Sequence, residues 1–198
     1  MTDIVYILIN EAMPDCIKIG KTTDIERRIR ELDNTSVPLP FECFYACTVK
    51  DMNFVEKQLH KAFASQRIRN SREFFKLSPI QALAALELVT IKDITPNIDF
   101  VATKDDQTAL NKARDRRPNF SFKMLDIPIG SELTFILDDT VTATVVDNKY
   151  IKLGKEILST SGAAHKFLPT DSRSVCGTLY WLYEGETLNE RRIRLESE

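Results

Sequence analysis

Apolar residues recur along this chain with two different periods, and the switches between them outline the elements. Residues 4–10 (IVYILIN) and 16–22 (CIKIGKT) are rich in β-branched side chains, and the intervening EAMPD holds Pro14, so a β-hairpin is predicted. Helical spacing then takes over. Ile25, Ile29 and Leu32 repeat at that interval, and Thr23 and Glu26 have the capping-box spacing, which predicts a short helix from about Asp24. FECFYACTVK (41–50) follows the Pro-flanked VPLP and reads as a strand. Asp51 is the expected cap of a helix whose Val55, Leu59 and Phe63 line one face, with Glu56 and His60 on a neighbouring one. REFFKL (72–77) reads as a last strand, and Ser78-Pro79 starts an apolar helix, IQALAALEL.

From Thr95 to Asn119 the periodicity fades into charged and turn-forming residues, which predicts a linker over 95–119 between a domain at 1–94 and another at 120–198. Beyond it SFKMLDIP, SELTFILDD, TVTATVVDN and YIKLG read as short strands, with turns at Gly130, Asp138-Asp139 and Asp147-Asn148. A helix from Ser159–Gly162 through Phe167, an aromatic strand TLYWLY and a helical tail complete the pattern. The predicted class is α+β: a small domain with a mainly antiparallel sheet flanked by helices, followed by a second small α+β domain. The two halves share no internal repeat.

Composition narrows the picture by exclusion. With 43% hydrophobic and 28% charged residues the chain can fill packed cores, which excludes low-complexity disorder. The net charge of -2 gives no global attraction to nucleic acid, so any such contact must come from local basic clusters. The opening MTDIVYILINEAMPD lacks a basic leader region, and no apolar run is long enough to span a bilayer; a cytoplasmic protein without membrane contact is expected. Cys16, Cys43, Cys47 and Cys176 sit in apolar stretches without metal-site spacing and are expected to be reduced core residues.

Candidate chemistry lies in an ordered set: Val5-Tyr6-Ile7, Lys18-Ile19-Gly20, Arg28, Glu56, Leu59-His60 and Glu73-Phe74-Phe75. This order resembles the GIY-YIG nuclease superfamily, in particular its divergent bacterial and phage branch, over roughly the first 80 to 90 residues. The resemblance implies a GIY-YIG-type αβ domain, with Tyr6 as general base, Arg28 as phosphate-binding group and Glu56 as ligand of Mg²⁺ (or Mn²⁺). Lys18 stands where the second motif has its tyrosine, and Leu32 where several members carry His or Tyr.

These residue types suit phosphodiester hydrolysis. Charge builds on the nonbridging and leaving oxygens, which a guanidinium and a divalent cation stabilise, and one carboxylate suffices for a cation that keeps most of its waters. An ammonium near Tyr6 would favour its phenolate, and Lys18 on the paired strand is the expected source. Taken singly, Tyr6 also reads as a core aromatic, Arg28 as a solvated helix charge and Glu56 as a surface partner of His60 or Lys57. His60 has three readings: metal ligand, proton relay, or ordinary partner of Glu56.

DNA contacts are expected from Arg67, Arg69, Asn70 and Arg72, which cluster before the last strand, with Asn70 resembling an active-site asparagine of some family members. The C-terminal half resembles the RAMA (restriction enzyme and adenine methylase associated) modules in Phe122, Leu125, Ile127, Pro128, Gly130, Leu133, the STSGAAH segment and GTLYWLYEG. That resemblance implies DNA recognition; from the residues themselves, Trp181 with Tyr183 is a candidate stacking surface, the amides near Ser159–Ser161 a candidate phosphate site, and Lys112, Arg114, Arg116, Arg117 and Arg191, Arg192, Arg194 either phosphate contacts or solvated linker and tail charges. Core packing of the aromatics and ordinary N-capping are the competing readings. The function expected is a metal-dependent DNA endonuclease, in restriction or defence against foreign DNA, targeted by its second domain. The alternatives are a catalytically silent DNA-binding or regulatory protein on the same scaffold, and an RNA-directed nuclease or toxin.

Overall fold

The predicted hairpin forms, with β1 (Ile4–Ile9) antiparallel to β2 (Ile17–Thr22) and Tyr6 directly opposite Gly20. The computed structural model describes residues 2–34, 36–101, 103–116, 120–168 and 176–197, without the side chains of 114–116 and 197. It divides the chain into two units, residues 1–117 and 118–198.

In the first unit, β3 (Glu42–Thr48) pairs with β1, β4 (Phe74–Phe75) with β2, and β5 (Lys92–Asp93) with β3. The resulting order is β4-β2-β1-β3-β5, antiparallel throughout. Because side chains alternate across a strand, Ile4, Tyr6 and Leu8 share one face. There they pack with Phe41, Cys43, Ala46 and Ile29, the last from α1 (Ile25–Leu32). The opposite face carries Val5, Ile7, Ile17 and Ile19, all buried, beneath α2 (Met52–Ala62) and α3 (Pro79–Glu87).

β4 is shorter than the predicted 72–77 strand. It pairs only with Ile17 and Lys18, so among the described residues the edge of β2 from Gly20 to Thr22 has no partner strand on that side. Helix α1 starts one residue later than its expected box. Asp24 is the cap, its side chain accepting from the Arg27 amide, while the Thr22 hydroxyl accepts from the Asp24 amide. The linker reading fails in part, because α4 (Lys104–Arg116) lies inside 95–119 and is grouped with the first unit. Two local signals account for it. Thr103 and Asp106 cap each other reciprocally, at 2.9 and 3.1 Å, and Leu110 is completely buried.

In the second unit a six-stranded antiparallel sheet has the order β11-β10-β6-β7-β8-β9. Its strands are β6 (Glu132–Phe135), β7 (Asp138–Val145), β8 (Tyr150–Leu153), β9 (Glu156–Ser159), β10 (Trp181–Tyr183) and β11 (Glu186–Thr187). Leu133, Phe135, Ala143, Val145, Ile151 and Trp181 form its buried face. The helices are α5 (Thr160–His165) and α6 (Leu188–Ser197).

Two strand expectations fail here. SFKMLDIP holds a 3₁₀ turn over Phe122–Leu125, because Ser121 caps it and Asp126 takes a left-handed φ of 52°. SELTFILDD bends at Ile136-Leu137 rather than at the aspartates, since Phe135 pairs with Asp138 and the Ile136 amide donates to the Tyr180 carbonyl. Three cysteines are buried as expected; Cys176 is exposed. No helix among the described residues is long and apolar enough to cross a membrane.

Candidate functional site

Tyr6 is the centre of the candidate site, and a glycine makes its position possible. A Cβ built on Gly20 would lie 2.5 Å from the Tyr6 hydroxyl and 2.6 Å from Cζ, so only a residue without a side chain lets the ring lie across the neighbouring strand. The glycine of the second motif is thus a packing requirement. Arg28, one turn into α1, donates from Nε to the Tyr6 hydroxyl at 3.2 Å. Its neighbours point elsewhere: Arg27 pairs with Glu31, and Arg30 with Glu26 at 3.0 Å. Of the two adjacent arginines, Arg28 is therefore the one that reaches the phenol.

Tyr6 is fully buried. Burial pushes its phenol above the ordinary value against the lowering effect of Arg28, and the charges of Glu73 and Glu56 add to the rise. The bond to Tyr6, against a smaller desolvation, holds Arg28 more firmly protonated.

Lys18 departs from its expected role. Its buried ammonium bonds Glu73 at 2.6 Å and lies 5.2 Å from the centre of the Phe74 ring, whereas Arg28 is the cation that bonds the Tyr6 phenol and lowers it. A neighbouring carboxylate neutralises it, so Arg28 is the cation that acts on Tyr6. In the sequence Glu73 stands out only as part of the Glu73-Phe74-Phe75 signature, yet in the fold it links Lys18 to the site. Burial works to raise its carboxyl, but the bond and charge of Lys18, with His60 and Arg28 adding, carry it below the usual glutamate range. The pairing follows from β4 register, which sets Phe74 opposite Lys18 and draws Glu73 to the edge of β2. Sequence spacing across 55 residues gives no hint of it.

Glu56, on α2, is nearly buried, and its Oε2 accepts from Lys21 Nζ at 2.6 Å. Lys21 is the other residue that sequence reasoning missed; its place right after the motif glycine was the available signal. His60, one turn further along α2, bonds the Ile19 carbonyl through Nε2 at 3.0 Å and packs on Phe75, with ring centres 5.1 Å apart. Groups from both faces of the sheet thus gather at the unpaired edge of β2: Arg28 and Tyr6 from one side, Glu56 and His60 from the other.

Among the described residues no three His, Cys, Asp or Glu side chains converge as a metal cage. The donor set that exists is one nearly buried carboxylate already holding a cationic group, the Lys21 ammonium. That suits a hard divalent cation that keeps its waters and takes further ligands from phosphate, and it does not suit zinc.

The other expected contacts divide. Arg69, Asn70 and Arg72 are exposed on the loop before β4, without a carboxylate partner among the described residues. Arg67 is committed to the fold: its Nε donates to the Arg72 carbonyl at 2.7 Å, and its guanidinium lies 5.6 Å from the Phe75 ring centre.

Trp181 must be withdrawn as a stacking surface. It is fully buried against Phe135, and its Nε1 donates to the Thr160 carbonyl at 2.9 Å. The start of α5 is likewise occupied within the fold. Ser159 caps Gly162, and Gly177 sits so close that its Cβ would be 2.2 Å from the Ser161 nitrogen. Arg191 donates to the Leu125 carbonyl, Glu184 and Glu186; Arg194 pairs with Glu186, and Arg192 with Glu196. The side chains of Arg114 and Arg116, and all of Arg117, lie outside the described residues, and Lys112 belongs to α4 of the first unit.

No curated protein and no solved structure matches this chain. Residues 3–90 match the family model of the T5orf172 domain, which is compatible with a nuclease-like or DNA-binding role for the first unit.

Proposed function

We propose that the chain is a divalent-metal-dependent endonuclease that hydrolyses DNA phosphodiester bonds, in restriction or defence against foreign DNA. The observation that carries this reading is the joint arrangement at the open edge of β2: an arginine fixed by a buried tyrosine, and a nearly buried glutamate already paired with a cation. The T5orf172 match over the same residues supports it, as does the resemblance to GIY-YIG nucleases in motif order.

In this reading Arg28 binds the scissile phosphate. Its Nε is committed to Tyr6 and one terminal nitrogen pairs with Glu31 at 3.5 Å, a long contact that an incoming nonbridging oxygen would replace. Glu56 would hold Mg²⁺ or Mn²⁺, with Lys21 giving way. A cation there supplies charge stabilisation for the phosphoryl and leaving oxygens. Exposed Arg69, Asn70 and Arg72 bind flanking phosphates. The second unit, by its resemblance to RAMA modules, selects the DNA.

The experiment is plasmid nicking with Mg²⁺, with Mn²⁺ and with EDTA, and RNA offered in parallel. Metal-dependent cutting of DNA that EDTA stops is the expected result; cutting of RNA alone would move the substrate class. A second reading is favoured by the Lys21–Glu56 pair and the complete burial of Tyr6: a catalytically silent DNA-binding protein that keeps the scaffold. Retained DNA binding without cutting in any metal would establish it.

A further inference from the structure

Hydrolysis of a phosphodiester by water needs a group that takes the proton, and the proposed nuclease reading makes the identity of that group a question for this site. Tyr6 is poorly placed for it. The side chain has no exposed surface, its oxygen accepts from Arg28, and the Gly20 backbone closes over the ring. A water cannot approach that oxygen without displacing a strand or the arginine.

His60 has the opposite situation. The Ile19 carbonyl at 3.0 Å can only accept, so Nε2 must be the nitrogen that carries the hydrogen. The neutral ring then has its basic lone pair on Nδ1. Nδ1 has no protein partner among the described residues, nor is it one of the fully buried polar atoms that lack one, so it keeps some contact with solvent. The ring itself is held on three sides: by the bond to β2, by Phe75 at 5.1 Å, and by α2, where Glu56 lies one turn earlier. A held imidazole with a defined tautomer and a free nitrogen, on the same helix as the carboxylate assigned to the cation, has the features of a general base.

We propose that Nδ1 of His60 is the general base of this site, and that Tyr6 is a positioning residue that holds Arg28. This inference rests on the nuclease reading. In the step, Nδ1 takes one proton from water as the water oxygen forms a bond to phosphorus. The bond from phosphorus to the 3′-oxygen breaks with its electron pair, and the leaving oxygen takes a proton from solvent. Of the charged groups, Glu73 acts on the ring electrostatically, Glu56, Lys57 and Lys61 share α2 with it, and Arg67 lies 5.6 Å from the Phe75 ring on which it packs. Glu73 lies below the usual glutamate range, so it contributes no acid limb near neutrality.

The test uses the full chain and a Mg²⁺-dependent cleavage assay across pH, with His60→Gln and Tyr6→Phe. The amide nitrogen of Gln can replace Nε2 as donor to Ile19, but nothing replaces Nδ1. His60→Gln should keep the melting temperature and DNA affinity of the wild type, lose about 10²–10⁴-fold in kcat, and lose the acid limb of the kcat/KM profile. Tyr6→Phe should keep that limb while losing at most about a hundredfold, the scale of one charge-assisted hydrogen bond. His60→Gln within a few-fold of wild type, or loss of the acid limb in Tyr6→Phe, would overturn the assignment. Should His60→Gln fail to fold, the Tyr6→Phe profile decides alone. A wild-type chain that cuts no nucleic acid in any metal refutes the nuclease reading itself, whereas an active wild type with an equally active His60→Gln refutes only the role of His60.

Discussion

In the first unit Arg28 leaves its helix to bond a buried phenol, and Arg69 and Arg72 meet no carboxylate among the described residues; in the second, Arg191, Arg192 and Arg194 are each tied to glutamates. Aromatic residues differ in the same way. Phe74 and Phe75 lie under Lys18, Arg67 and His60 and orient polar side chains at an open strand edge, whereas Trp181, Phe135 and Tyr180 pack on one another within the core. Similar residue types thus line the candidate site in one unit and the core or internal ion pairs in the other. A basic or aromatic cluster in a sequence becomes an interface only when its charges are not satisfied internally.

The largest effect that would break this comparison concerns Glu56. Glu56→Gln should lower Mg²⁺-dependent plasmid nicking by about a thousandfold, since it removes the carboxylate proposed to hold the cation; near wild-type nicking would remove the site proposed for the first unit. Next in size, Trp181→Ala should destabilise the second unit by about 3–5 kcal/mol, as a buried large aromatic with a bonded indole does. Thermal unfolding reads this directly, and an unchanged melting curve accompanied by weaker DNA binding would restore Trp181 as a surface.

Gly20→Ala should cost the first unit about 1–3 kcal/mol by forcing the Tyr6 ring aside. Its activity should fall with Arg28, and a crystal structure with Tyr6 unmoved would contradict the packing argument. A smaller effect sharpens the arginine contrast. Replacing Arg69 and Arg72 by Ala should reduce the slope of log affinity against log salt by about 0.9 per lost phosphate contact. Replacing Arg191 and Arg194 should leave the slope unchanged, and the reverse pattern in filter binding would assign the phosphate contacts to Arg191 and Arg194 instead.

The smallest expected effect is in pH. The Glu73 carboxyl is lowered in the folded chain, so its contribution is complete above the usual glutamate value of about 4.3 and is lost as pH falls through the lowered value. Glu73→Gln should therefore flatten the acid side of the stability profile measured by urea unfolding. An unaltered acid side would mean that the Lys18 pair adds nothing.

Local patterns decided much of this protein from sequence alone. The alternation of IVYILI and CIKIGKT determined the hairpin, and Asp51 before a 3.6-residue period determined the helix that carries Glu56 and His60, because hydrophobic period and capping act within a few residues. Motif order also put Arg28 forward, and in the folded chain it bonds Tyr6. What sequence could not decide was pairing at long range. Lys18 meets Glu73 across 55 residues and Lys21 meets Glu56 across 35, and both depend on β4 register and on how α2 crosses the sheet. The same limit misplaced Trp181 and the C-terminal arginines. Whether an indole is a surface or a core, and whether a guanidinium is free or paired, depends on neighbours brought by folding, and no local period encodes them.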